Sequence, residues 1–445
     1  MTLRAPTATT LRGAAAPMRA RLAAAGRMAH RWKGRVFFAF VDQGAYSLTN
    51  FLLTVLYASW LPLEAFGQYV VVWTVALFIE AIEVALIVDS LPAIYSRLSR
   101  LNRHGRARLD AAALWVVVGY GVFTSLCVVV TAFAIGAWQP TYVGALLALA
   151  AINPLQRLYL YLRRLAYIHD RQDVAATMAA TYGATSLLGA FVLTRLDALS
   201  LTSAILLLGL GTFAALVAAA LRGIGRPRRV RRASIVWLAK EIWRSGRWLS
   251  GAAVVSWITT WAVFPLIAMT SGAGTAGIIR ALQNLLTPIV QFNAALHLAI
   301  LPRVADKVAD VGDHFGRWFA WRATALFAGI AMAYCAVILV AAPVVLPAVY
   351  RKPEIAAAAA LLWPLAAAVV LDALRQASTI SLLANRRTRV LFVARWFALA
   401  VFVAGGFALN AVLGVAGILW ATAAASATGA AIVLAAALSN KSESR

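Results

Sequence analysis

Twelve long, mostly apolar runs cross this sequence, near 36–60, 68–92, 111–137, 143–162, 174–194, 201–221, 248–270, 275–301, 323–346, 356–380, 390–411 and 415–438. A bilayer core is about 30 Å thick, so a spanning helix takes roughly 20 such residues. Backbone groups inside hydrocarbon must be satisfied within their own segment, which predicts helices. A membrane barrel would show period-two alternation with many polar positions, and this chain shows none.

The charges say which way the runs are threaded. The chain carries a formal net charge of +25 although 62% of it is hydrophobic. Eight basic residues precede the first run, from Arg4 to Arg35. Further clusters fill every second gap: Arg97 to Arg108, Arg157 to Arg171, Arg222 to Arg247, Arg303 to Arg322, and Arg375 to Arg395. With Lys441 and Arg445 in the tail these make 37 of the 41 basic residues; Arg195, Arg280, Arg351 and Lys352 are the remainder. Basic gaps on one side predict that both termini and all even gaps are cytoplasmic, and an even number of spans fits that. The same loops would touch anionic lipid headgroups. No loop is long enough for a folded nucleic-acid-binding module, so nucleic acid is not an expected partner.

The predicted fold is an all-α polytopic membrane protein, twelve transmembrane helices in two six-helix lobes around a central cavity. Residues 1–35 read as a basic cytoplasmic segment, 36–221 as the N-lobe, 222–247 as a cytoplasmic linker, 248–438 as the C-lobe and 439–445 as a cytoplasmic tail. In the linker, Ser234 is placed to N-cap a short interfacial helix carrying Ile235, Leu238 and Ile242 on one face, with Trp237, Trp243 and Trp248 nearby. A plain linker is the alternative. A weak internal repeat supports two halves. Gly67 opens the second run and Pro92 closes it; Gly277 opens the eighth and Pro302 closes it, at the same separation. Both copies start on the same side, so the repeat is parallel, with its pseudo-axis along the membrane normal. Cys127 and Cys335 lie in different runs and read as small core hydrophobes.

Ionisable residues cost about 2.5–3.5 kcal/mol each at the centre of a membrane helix, so each needs a reason. Asp42, Gln43 and Asn50 lie near one face of the first run. Glu80 and Glu83, three residues apart, share a face of the second. Two carboxylates that close favour sharing a proton, which is what a proton-binding site needs; the alternative is that they cap neighbouring helices or pair with Arg. Asp89 follows two turns on, and Asp372 stands three residues before Arg375, its natural partner. Arg280 is embedded in the eighth run. Arg280, Asn284 and Gln291 follow at i, i+4 and i+11, so they are expected to face one cavity, with Pro288 breaking the helix between them. A planar guanidinium suits phosphate oxygens. Pairing of Arg280 with Glu80 or Glu83 is the other reading. No nucleotide motif, dinucleotide fingerprint, metal-ligand cluster or Ser-His-Asp constellation is present, so no cofactor is expected, and the loops on the side opposite the basic gaps are too short for a catalytic domain. A transporter is therefore expected ahead of an enzyme.

The stretches Phe40-Val41-Asp42-Gln43, Ser47-Leu48-Thr49-Asn50-Phe51 and Glu64-Ala65-Phe66-Gly67-Gln68-Tyr69 resemble the opening of Wzx-type polysaccharide and O-antigen flippases, members of the multidrug/oligosaccharidyl-lipid/polysaccharide exporter superfamily. Ala276 to Pro288, Leu301-Pro302-Arg303 and Gly414-Val415-Ala416-Gly417 are similar to matching parts of that family. Glu80, Glu83 and Asp89 have no match in it. The resemblance implies a two-lobed bundle with a cationic cavity in a bacterial inner membrane, flipping undecaprenyl diphosphate that bears a short glycan, with glycan polymerase or glycosyltransferases as possible partners. Arg280, Asn284, Gln291, Asp42, Gln43 and Asn50 would then line the substrate cavity. Glu80, Glu83, Asp89 and Asp372 would be candidates for ion coupling. An ion-coupled drug or metabolite exporter of the same superfamily, or a non-transporting membrane partner of glycan-assembly enzymes, are the alternatives.

Overall fold

The computed structural model describes residues 9–97, 103–225, 229–311, 313–385 and 387–439. Among them there is no strand. Fifteen α-helices follow one another: α1 (Thr9–Trp60), α2 (Leu63–Glu83), α3 (Leu91–Arg97), α4 (Arg103–Gly136), α5 (Val143–Ile168), α6 (Gln172–Arg195), α7 (Leu201–Leu221), α8 (Arg232–Trp261), α9 (Val263–Ser271), α10 (Ala273–Val311), α11 (Asp313–Tyr350), α12 (Pro353–Ala357), α13 (Leu362–Ala384), α14 (Thr388–Leu413) and α15 (Val415–Leu438).

Each of the twelve apolar runs falls within this series. Among the described residues nine helices are long and apolar enough to cross a membrane, or ten if α8 and α9, bent by 41° at their junction, form one span. The other two expected spans, in α1 and α10, are long helices whose polar residues, Asp42 and Gln43 in one and Arg280 and Gln283 in the other, dilute their apolarity. The joints follow local chemistry. Ser200 and Ser203 form a reciprocal capping box that starts α7. Gly272 (φ 87°) and Gly414 (φ 58°) turn the chain between α9 and α10 and between α14 and α15, where the left-handed backbone favours glycine.

Packing divides the bundle. α1 lies against α6, α6 against α7, and α5 against α4 and α7; separately, α13 packs on α10, α11 and α15, and α15 on α14. The two lobes meet through α2 and α1 on one side and α8, α9, α10 and α11 on the other. The linker differs from the expected short helix. Arg231 occupies the N-cap, and one continuous helix runs from Arg232 into the seventh run. Leu238 and Ile242 are buried, while Trp237, Trp243 and Trp248 are exposed, so the amphipathic face expected there is real. Its apolar side packs on N-lobe helices: Gly246 meets the backbone of Leu86, where a Cβ would lie 2.5 Å from the carbonyl oxygen.

The repeat landmarks meet in space. A Cβ added at Gly277 would lie 3.1 Å from the Gly67 nitrogen, and one at Gly67 would lie 1.7 Å from the Ala273 carbonyl oxygen. Two glycines at matching places in the two halves thus let α2 and α10 touch backbone to backbone.

Candidate functional site

α2 forms one wall of a cleft of about 690 Å³ between the lobes; α8 and α14 form the rest. Asp89, at the end of the α2 segment, Leu249, midway along α8, and Phe392, in the first turns of α14, line its side nearest the basic loops. Trp257, Thr260 and Trp261 lie deeper. Beyond Trp261 the lobes close. Besides the Gly67–Gly277 contact, the Glu64 carboxylate accepts from the Gly274 N–H at 3.0 Å, and the Ser59 hydroxyl donates to the Val349 carbonyl at 3.1 Å. Lys352 donates to the Leu61 carbonyl. The cleft is therefore open toward the basic-loop end and sealed at the other.

A second, smaller cavity of about 120 Å³ lies inside the C-lobe and shares Ser256, Thr260 and Arg395 with the cleft. Its lining is rich in hydroxyls and holds Asp372 and Arg375. Arg375 donates to Asp372 at 2.6 and 2.9 Å, and Gln376 donates to the other carboxylate oxygen at 2.8 Å. Asp372 is thus saturated by neighbours on its own helix. Arg395 donates only a long 3.4 Å bond to the Ala252 carbonyl.

The two expected carboxylates of α2 part company. Glu83 points into the N-lobe and ion-pairs with Arg157 at 2.9 Å, both side chains essentially unexposed. Glu80, one turn earlier, makes no hydrogen bond or ion pair among the described residues. It borders the cleft and also a pocket inside the N-lobe beside Tyr46, Gln156 and Arg157. The helix then loosens into a π-turn, Val84–Val88, which lines the cleft and ends at Asp89. Asp89 pairs loosely with Arg164 at 3.4 Å at the partly exposed rim.

The remaining expected site residues are dispersed. Asp42 does not face the cleft: it is 1% exposed, chelated by Arg163 at 2.8 and 3.1 Å and hydrogen-bonded by Tyr167 at 2.8 Å. Arg163 in turn stacks on Tyr46 at 4.4 Å. A buried carboxylate needs such a partner, and α5 supplies it. Asn50 accepts from the Tyr182 hydroxyl at 3.2 Å within the N-lobe, and Gln43 is exposed beside Ser47.

Arg280, Asn284 and Gln291 do not line one cavity. Arg280 sits behind Trp261, with its guanidinium 5.3 Å from that ring and 6.0 Å from Phe264, and it donates to Gln283 at 2.8 Å. No carboxylate is among its electrostatic neighbours in the described residues, so it pairs with neither Glu80 nor Glu83. Asn284 is buried against α1, donating to the Phe51 carbonyl at 3.4 Å, and Gln291 is exposed. α10 stays helical through Pro288, in place of the expected break.

Four arginines grouped with the basic loops on sequence are inside the bundle. Arg157 is 1% exposed, Arg163 is held by Asp42, Arg375 lines the C-lobe cavity, and Arg395 lines the cleft. A signal for three of them was present, because Arg157, Arg375 and Arg395 fall within the apolar runs 143–162, 356–380 and 390–411.

The chain matches no protein-family model and no curated protein. Solved structures do resemble it. An inward-facing multidrug resistance MATE family transporter of the MOP superfamily matches with a TM-score of 0.77 at 12% identity, over 90% of this chain and 97% of that one. An outward-facing MATE family transporter of the MOP superfamily matches at 0.64 and 13% identity, over 90% and 93%. The lipid II flippase MurJ in an inward closed conformation matches at 0.67 and 12% identity, over 90% and 87%. At such identities the likeness is one of fold: this chain is a multi-pass helical membrane protein built like transporters of that superfamily.

Proposed function

We propose that this protein is a flippase that carries undecaprenyl diphosphate bearing an oligosaccharide from the inner to the outer leaflet of a bacterial inner membrane. The observation that carries the proposal is the cleft itself: bounded by both lobes, open at one end, largely apolar with a few polar groups, and bearing on its C-lobe wall a guanidinium whose only hydrogen bond among the described residues is a long one. A diphosphate-sugar headgroup cannot cross hydrocarbon unaided, because burying unpaired charge is prohibitive. The Arg395 guanidinium in the cleft offsets part of that cost while the lipid tail stays in the bilayer. The basic loops put the open end and both termini in the cytoplasm. Residues 36–221 and 248–438 are then the two lobes that rock to give alternating access, with α2 and α10 separating at Gly67 and Gly277 as the far end opens.

In that movement Arg280 becomes useful. It is held behind Trp261 at the sealed end, a cation that meets substrate once the seal parts. Glu80 is the retained candidate for ion coupling, since Glu83, Asp89 and Asp372 are engaged by arginines. The experiment is Arg280→Ala, with surface polysaccharide and membrane abundance measured together. We expect loss of polysaccharide with the protein still in the membrane; normal polysaccharide refutes the role. A second reading, an ion-coupled exporter of cationic compounds, is favoured by the unpartnered Glu80 on the cleft wall. It predicts that deletion sensitises cells to such compounds and leaves glycans unchanged.

A further inference from the structure

From the chemistry of the cleft we infer that Arg395 is the anchor for the phosphate groups of the transported substrate in the state open to the basic-loop end. The inference rests on the flippase reading and deepens it by naming the subsite that meets substrate first.

Arg395 stands two turns inside α14, on the partition shared by the cleft and the C-lobe cavity. A guanidinium offers five N–H donors in a planar fork, and here the only hydrogen bond among described residues is a long one to a backbone carbonyl. Asp372 lies within electrostatic reach of Arg395 but makes no hydrogen bond or ion pair with it among the described residues. Asp372 accepts twice from Arg375 and once from Gln376, which leaves little of its capacity free. Ser256 and Thr260 line both spaces with Arg395 and add hydroxyl donors of adjustable direction. Fork and hydroxyls together match the several acceptor oxygens of a phosphate, which Arg grips in bidentate fashion. At about 690 Å³ the cleft holds more than an isolated anion. Glu80 on the opposite wall can accept from hydroxyls of an attached sugar. Arg280 cannot play the first part, since Trp261 and Phe264 cover its guanidinium on the sealed side.

The test uses the full chain in lipid nanodiscs and equilibrium binding of radiolabelled geranylgeranyl diphosphate. Inorganic diphosphate and the uncharged alcohol geranylgeraniol are run as competitors, on the parent protein, Arg395→Ala and Arg395→Lys. Thermal unfolding confirms that each variant is folded. We expect the parent to bind the lipid diphosphate in a salt-dependent manner and to prefer it to inorganic diphosphate. Arg395→Ala should bind at least tenfold more weakly, Arg395→Lys should fall between, and competition by the alcohol should be unchanged. Equal affinity of Arg395→Ala and the parent overturns the assignment and leaves the flippase reading standing. Equal affinity of the parent for inorganic and lipid diphosphate, lost in Arg395→Ala, keeps Arg395 as an anion anchor and overturns the flippase reading. Binding of neither by the parent overturns both.

Discussion

Replacing Gly67 with alanine should tip the protein toward the state open at the end that is sealed here. The added Cβ would lie 1.7 Å from the Ala273 carbonyl oxygen and 2.3 Å from its carbon. A carbon and an oxygen in ordinary contact sit more than 3 Å apart, and both partners are backbone, so no side chain can swing away. α2 and α10 must separate by about 1.5 Å, or the sealed state must carry the strain. Overpacking of this kind costs about 1–3 kcal/mol, and the cost falls only on the state in which the helices touch. A bias of that size changes a two-state ratio by roughly 5- to 150-fold. Spin labels at the exposed Gln139, between α4 and α5 of the N-lobe, and the exposed Glu354, in α12 of the C-lobe, both at the sealed end, would report the change as a longer distance by double electron–electron resonance. Gly277→Ala should give a smaller shift, because its Cβ would meet neighbours at 3.1 Å and needs only a few tenths of an ångström. Gly251→Ala, with open space around it, should give none. A folded Gly67→Ala protein with the parent's distance distribution would refute the idea that this contact is the seal.

Glu83→Gln should lower stability strongly, by about 3–5 kcal/mol, because it leaves the Arg157 charge buried without its partner. Glu80→Gln should leave thermal unfolding unchanged and alter only the pH dependence of transport; unfolding in detergent compares the two directly. His169, at the basic-loop end of α5, is held above the ordinary histidine range chiefly by its hydrogen bond to Asp110, with burial opposing. A raised folded-state value stabilises the charged form. The stability it adds should therefore be full below about pH 6.5, the unfolded value, and fade as pH rises through the raised one. Asp110→Asn should flatten that part of the pH–stability curve, and an unchanged curve would dismiss the pair as a stabiliser.

The helices were legible because length and apolarity are properties of each run alone. The site was less so, since it depends on what stands opposite each residue. Glu80 and Glu83 are three residues apart, about 60° around the helix, and α2 is the partition between lobe interior and cleft, so that small angle sends one carboxylate to Arg157 and leaves the other facing space. On α10, Arg280, Asn284 and Gln291 share a face but span about 16 Å of axis, and the facing element changes from the junction of α8 and α9 to α1 to none. Counting arginines by gap is blind to depth, which is how Arg157, Arg375 and Arg395 were taken for loop charges. The equal spacing of Gly67–Pro92 and Gly277–Pro302 was visible in the chain; that the two glycines are each other's contact was not.

The unbroken course of α8 has a mechanical consequence. Its first turns are embedded in one lobe through Leu238, Ile242 and Gly246, and its last turns border the cleft on behalf of the other. The connection between the lobes therefore behaves as a lever rather than a tether, with a fulcrum at the 41° bend between Trp261 and Val263. Torque applied at one lobe is delivered to the deepest point of the cleft, next to the ring that covers Arg280.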